Sequence, residues 1–138
     1  MSKFVETLND LLIENNLNIA SFSKCINISS TTLYDLKTYY PSLKTALKIV
    51  DYFKTSLDYF EKRTDVFEYH YNPDYKIDFW GNMQKFKKST PAYILCQNIN
   101  ISEPTYYKWK KGSLPTYQTL VDLANFFDCS IDELIGRK

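Results

Sequence analysis

Six lysines (Lys85, Lys87, Lys88, Lys108, Lys110 and Lys111) fall within residues 84–111 and meet one acid there, Glu103, so this stretch is net +5. The whole 138-residue chain is only +1. Clustered ammonium groups neutralise polyanions, and a local basic stretch is the footprint nucleic acid requires. Other chemistry is thin. There is one histidine, His70, and no Ser/His/Asp or Cys/His grouping for nucleophilic catalysis. Cys25, Cys96 and Cys129 are odd in number and lack C-x-x-C spacing, which argues against a metal site or a disulfide framework and for a reduced, intracellular setting. Gly81, Gly112 and Gly136 are the only glycines, so no Gly-rich phosphate loop exists. The expectation is a non-enzyme without cofactor or metal. No apolar run approaches the roughly 20 residues of a membrane span, and the N-terminus lacks a signal peptide's apolar core.

The elements that must position these lysines are repeated. The stretch from Asn98 overlays the stretch from Cys25. Ile26/Ile99, Asn27/Asn100, Ile28/Ile101, Ser29/Ser102, Thr32/Thr105, Tyr34/Tyr107 and Lys37/Lys110 match at an offset of 73. Pro41/Pro115, Thr45/Thr119, Phe53/Phe127, Ser56/Ser130, Asp58/Asp132 and Arg63/Arg137 match at 74. A repeat of this length is a whole small domain of about 60 residues. The expected organisation is an N-terminal domain over 1–64, an aromatic-rich linker over 65–76 and a C-terminal domain over 77–138.

The second copy reads as five short helices with no strand signal. Helix 1 spans Phe79 to Lys87, with Phe79, Met83 and Phe86 at helical spacing. Thr90 is the expected N-cap of helix 2, with Pro91 at its first position and Leu95, Cys96 and Ile99 inward. Asn100 suits a left-handed turn, and Ser102 caps helix 3. Tyr106 and Trp109 face inward, leaving Glu103, Thr105 and Lys108 outward. Gly112 closes helix 3 and Pro115 prevents its continuation. Leu120, Leu123, Ala124 and Phe127 form the stripe of helix 4. Ser130 and Glu133 form a capping-box pattern before Ile131 and Leu134. The first copy repeats the layout: Asn18 and Ser29 as caps, Asn27 as the turn, Phe22, Leu33 and Leu36 inward, then Ala46, Ile49, Val50 and Phe53.

Leu95-Cys96, Asn100-Ile101-Ser102, Thr105, Tyr106, Trp109, Gly112, Pro115 and the final SIDELIG (130–136) resemble the pattern of the lambda-repressor-like (Cro/CI, or XRE) helix-turn-helix family. The resemblance covers most of both copies and is closer in the second. Tyr39 stands where the first copy's loop glycine is expected. It implies an all-α chain of two tandem five-helix domains. It also implies a cytoplasmic, nucleoid-associated regulator of the kind bacteria and phages use, bound to double-stranded DNA with helix 3 in the major groove. Carried over by position, Ser102, Glu103, Pro104, Thr105 and Lys108 meet the groove, with Ala92 nearby. Lys108 would donate to guanine, Glu103 accept from cytosine N4, and Thr105 meet a thymine methyl. Lys87, Lys88, Tyr107, Lys110, Lys111 and Ser113 are the phosphate candidates.

The first copy offers Ser30, Thr31, Thr32, Tyr34 and Lys37, with Asp35 where Lys108 stands in the second. Base reading there, and reuse of the unit for protein interaction as an antitoxin-like module or in a homodimer, are both open. The linker aromatics Phe67, Tyr69 and Tyr71 predict an ordered connection that fixes the domains. His70 reads as a structural or exposed residue.

Overall fold

The computed structural model describes residues 2–138; Met1, the first residue of the expected 1–64 domain, lies outside them. The described residues are all-α, with ten helices and no strand. The first copy holds α1 (Lys3–Glu14), α2 (Ile19–Ile26), α3 (Ser30–Asp35), α4 (Leu43–Phe53) and α5 (Leu57–Phe60). The second holds α6 (Phe79–Lys87), α7 (Ala92–Ile99), α8 (Glu103–Lys110), α9 (Tyr117–Phe127) and α10 (Ile131–Ile135).

Local chemistry sets the helix boundaries, and it does so in register. Ser29 and Ser102, Ser42 and Thr116, and Ser56 and Ser130 are N-caps whose side chains accept the N–H three residues on. Each such cap is worth about 1 kcal/mol. Asn27 and Asn100 leave α2 and α7 in the left-handed region, at φ 55° and 57°, which asparagine tolerates better than most side chains. The Thr90 cap expected for α7 is not formed. Pro91 is the N-cap, with no side-chain bond to the helix. Thr90 instead closes a turn by donating its N–H to the Lys87 carbonyl at 3.0 Å.

Each copy buries its own core. In the first, Phe4, Leu8, Phe22, Leu33, Ile49, Val50, Leu57 and Phe60 are at most 1 % exposed. In the second, Met83, Leu95, Tyr117, Leu120, Leu123, Ala124, Ile131 and Leu134 are fully buried. Phe53, Phe86 and Phe127 reach only half-burial, because each sits near a helix end.

The chain divides into two compact units, one ending at His70 and one running from Tyr71 to Lys138. The aromatic stretch 65–76 is shared between them. Phe67 packs edge-on to Tyr59 at 5.2 Å, and its carbonyl accepts from the Thr55 hydroxyl. Tyr71 and Tyr75 belong to the second unit, 3.9 Å and 5.7 Å from the Arg137 guanidinium. Arg137 donates to Asp132 at 2.8 Å, both side chains fully buried. Residues 72–78 also bond the C-terminal segment, with the Asn72 N–H on the Lys138 carbonyl and the Asp78 N–H on the Ile135 carbonyl. Gly136 lies beneath them at φ +85°, where an added Cβ would sit 3.1 Å from the Asp78 nitrogen and the Lys76 oxygen.

Candidate nucleic-acid interface

Helix α8 is held from below by aromatics. Tyr106 and Trp109 are buried, Phe79 packs on Trp109 at 5.4 Å, and Trp80 packs on Tyr106 at 5.3 Å. The Gln84 side chain reaches the Tyr106 hydroxyl at 3.4 Å. With that face fixed, the 3.6-residue period leaves two outward rows. Pro104, Thr105, Lys108 and Lys111 form one, and Glu103, Tyr107 and Lys110 form the other. Thr105 is half-buried and the rest are exposed.

The cap of α8 also orients a side chain. Ser102 accepts the Thr105 N–H at 3.2 Å, and the two hydroxyl oxygens lie 2.8 Å apart. The Thr105 hydroxyl is thereby engaged, which leaves its methyl as the free contact. Glu103 is exposed, and its charge adds to the main effect of burial in raising the nearby Cys96 thiol above its ordinary value. The helix ends in a left-handed step at Gly112 (φ +111°), with the Gly112 and Ser113 N–H groups on the Trp109 and Lys108 carbonyls. Lys110, Lys111 and Ser113 are exposed around this step.

The start of α7 forms the second part of the surface. Lys87 is half-buried at the end of α6, and Lys88 is exposed with φ 52°, ψ −126°. That conformation opens a tight turn closed by the Thr90 N–H, a position glycine normally fills. Pro91 leaves the first N–H groups of α7 without a side-chain cap, and half-buried Ala92 lies at that end. An uncapped helix N-terminus beside lysines suits an anion. None of the six lysines at 85–111 is ion-paired to a carboxylate. Ser89 and Tyr93, which the sequence reading passed over, are also exposed here, Tyr93 by 55 %. Nothing in an isolated tyrosine at the start of a helix signals this; its exposure follows from Leu95, Cys96 and Ile99 taking the inward side.

These helices match a known family model. The Cro/C1-type HTH DNA-binding domain covers residues 7–58 and again 81–138. The chain belongs to the Cro/C1-type helix-turn-helix family. No curated protein and no solved structure is significantly similar to it. The two matched segments agree with tandem copies, and the family's DNA-binding character makes DNA the partner class. No helix among the described residues is long and apolar enough to cross a membrane.

The Cro/C1-type unit of the first copy presents a different surface. Thr31, Thr32, Tyr34, Asp35 and Lys37 are exposed on and after α3, and Ser30 is half-buried, donating to Ser23 at 3.2 Å. Lys37 lies 5.6 Å over the Tyr34 ring. Tyr39 is 69 % exposed. Among residues 36–41 no φ is positive, so this loop has no step that requires the missing glycine.

Proposed function

We propose that the chain is a sequence-specific, XRE-type transcriptional regulator that reads the major groove of duplex DNA with α8 of the second copy. One observation carries this reading: six unpaired lysines flank the uncapped start of α7 and the outward rows of α8. Phosphates would be held by Lys87, Lys88, Lys110, Lys111, Ser113, Tyr107 and the α7 N–H groups, with Tyr93 and Ser89 added by their exposure. Base edges would be read by Lys108, Glu103 and the Thr105 methyl, beside Ser102, Pro104 and Ala92. The setting is cytoplasmic, on the nucleoid when bound. Selection of binding sites from random duplexes tests the reading. A shared motif and a steep fall of affinity with salt are expected, because phosphate neutralisation releases counterions. Failure to enrich any sequence, with salt-independent binding, would overturn it.

The exposed Tyr34, Tyr39 and Tyr40 of the first copy, with Asp35 among them, favour a second reading for that unit. Tyrosine-rich, charge-poor surfaces suit protein partners or a second copy of the chain better than phosphate. Footprinting combined with the mass of the complex separates the two roles. One chain protecting two major grooves assigns DNA reading to both copies. One groove per chain leaves the first copy, with Ser30, Thr31, Thr32, Tyr34 and Lys37, as an interaction unit.

A further inference from the structure

A cleft of about 470 Å³ opens between the end of α7 and the outer face of α9, lined by Asn98, Ile99, Asn100, Asp122, Asn125 and Phe126. Its electrostatics have one sign. Asp122 is the only ionisable residue in the lining, and no cation is paired with it. The C-terminal end of α7 meets the cleft at Ile99 and Asn100, and a helix C-terminus carries the negative end of the macrodipole. Burial of part of Asp122 pushes its carboxyl above the usual range, as for a carboxylate lacking a counter-charge. Three carboxamides supply further acceptors, and Phe126 and Ile99 supply apolar wall, with an aromatic face suited to a cation.

The first copy carries different side chains at the same place. Cys25, Lys48 and Tyr52 stand at the positions of Asn98, Asp122 and Phe126. The Cys25 thiol beside the Tyr52 hydroxyl pushes the phenol above its ordinary value. The Tyr52 ring packs edge-on to Phe22 at 5.2 Å. A lysine thus occupies the position of the second copy's carboxylate, and a tyrosine that of Phe126.

We propose that the α7–α9 cleft of the second copy binds an alkyl cation, a guanidinium or ammonium group on an apolar stem. Asp122 pairs with the charge, the amides of Asn98, Asn100 and Asn125 accept its remaining hydrogens, and Phe126 covers the stem. The site is independent of the lysine surface and of DNA reading. The same chemistry arises in a free amine effector and in an arginine or lysine side chain of a partner protein.

The test is a titration of the full chain with n-butylguanidinium, followed by amide NMR, with n-butylurea as its uncharged isostere. Saturable shifts at Asn98, Asn100 and Asn125 with a Kd on the order of millimolar are expected for the cation, and none for the urea. Asp122→Asn should weaken binding about tenfold or more, and Asp122→Lys, the first copy's residue, should abolish it. Asp122 is exposed, so both variants should keep the wild-type spectrum elsewhere. Equal shifts with the urea, or unchanged binding by Asp122→Asn, would overturn the proposal. A capped arginine tripeptide binding more tightly than free arginine points to a partner's side chain; the reverse order points to a small effector.

Discussion

The two copies share caps, turns, an ion pair and the Ser29/Ser102, Thr32/Thr105, Tyr34/Tyr107 and Lys37/Lys110 matches, yet differ at three positions on the surface that could meet DNA. The first copy has Asp35, Asn15 and Asn18 where the second has Lys108, Lys88 and Pro91. In the first, α2 is sealed by its own Asn18 side chain, which accepts the Ser21 N–H at 2.8 Å. In the second, α7 has no such seal, and Lys87 and Lys88 shortly precede it in the chain. The first copy keeps a side-chain cap at this place, and its positive-φ residues Asn16, Asn27, Lys54 and Lys62 are not at the positions of Lys88 or Pro91. The second departs from the rules of local stability at Lys88 and at Pro91, both beside the proposed phosphate surface. Departures of this kind are expected where function, not folding, selects the residue.

The largest effect should come from the shared ion pair, because the two copies bury it differently. Arg137 and Asp132 are wholly buried, while Arg63 and Asp58 retain 21 % and 13 % of their side-chain exposure. Arg137→Ala strands a buried carboxylate beneath Tyr71 and Tyr75 and should cost about 3–5 kcal/mol. Arg63→Ala leaves Asp58 access to water and should cost about 1–2 kcal/mol. Trp80 and Trp109, the only tryptophans, lie in the second copy, so tryptophan fluorescence during urea unfolding reads that copy and far-UV circular dichroism reads both. Equal losses would show that burial does not set the difference.

Next comes the groove-facing exchange. Lys108→Ala should relax preference at one base pair and cost about 1–3 kcal/mol on the selected site. Asp35→Ala should leave that preference unchanged, and by removing a repulsive charge it should raise affinity for all duplexes alike if α3 faces DNA. Competition binding against single-base variants of the site checks both. A change of base preference from Asp35→Ala would make the first copy a reader in its own right.

Much of this was legible from residue types. The repeat, the serine caps, the Asn27 and Asn100 turns and the inward Tyr106–Trp109 pair follow from local rules that tertiary packing did not override. The start of α7 was less legible. Thr90-Pro91 has the composition of a cap followed by a first helical residue, but the turn at Lys88 draws Thr90 away and moves the boundary by one. No sequence rule assigns φ 52°, ψ −126° to a lysine. The cover over Arg137 was also hidden, since Tyr71 and Tyr75 lie more than 60 positions away in sequence and read as linker. The α7–α9 cleft is lined from two helices, Asn98, Ile99 and Asn100 on one side and Asp122, Asn125 and Phe126 on the other, and their convergence leaves no pattern in composition or period.

The strained turn gives a smaller and opposite pair of effects. Lys88→Gly removes a side chain from a backbone conformation that favours glycine, so the second copy should gain about 0.5–1 kcal/mol. The same change deletes one proposed phosphate contact, and the salt slope should fall by about one unit. Asn15, its counterpart, sits at φ −100°, so Asn15→Gly should destabilise the first copy by a similar amount through the freedom glycine gains in the unfolded chain. Stability from tryptophan fluorescence and affinity from salt-dependent anisotropy measure the two axes separately. A Lys88→Gly variant that gains stability and keeps its full salt slope would remove Lys88 from the phosphate surface.

The smallest effect tests the cap difference itself. Pro91→Asn gives α7 the residue that seals α2. Its side chain should accept the Ile94 N–H as Asn18 accepts that of Ser21. A cap is worth about 1 kcal/mol, offset in part by the freedom an asparagine recovers in the unfolded chain, so the net gain should be a few tenths. The new oxygen would occupy the N–H groups a phosphate needs and place a negative dipole in its path. Affinity for every duplex should therefore fall about two- to fivefold, with base preference unchanged, since this contact positions and does not read. Asn18→Ala makes the converse change, costing the first copy about 1 kcal/mol and leaving DNA affinity alone if that copy does not touch phosphate. Full affinity in Pro91→Asn would mean that α7 does not present its N-terminus to DNA. The absence of a cap there would then be a consequence of the Lys87–Thr90 turn and nothing more.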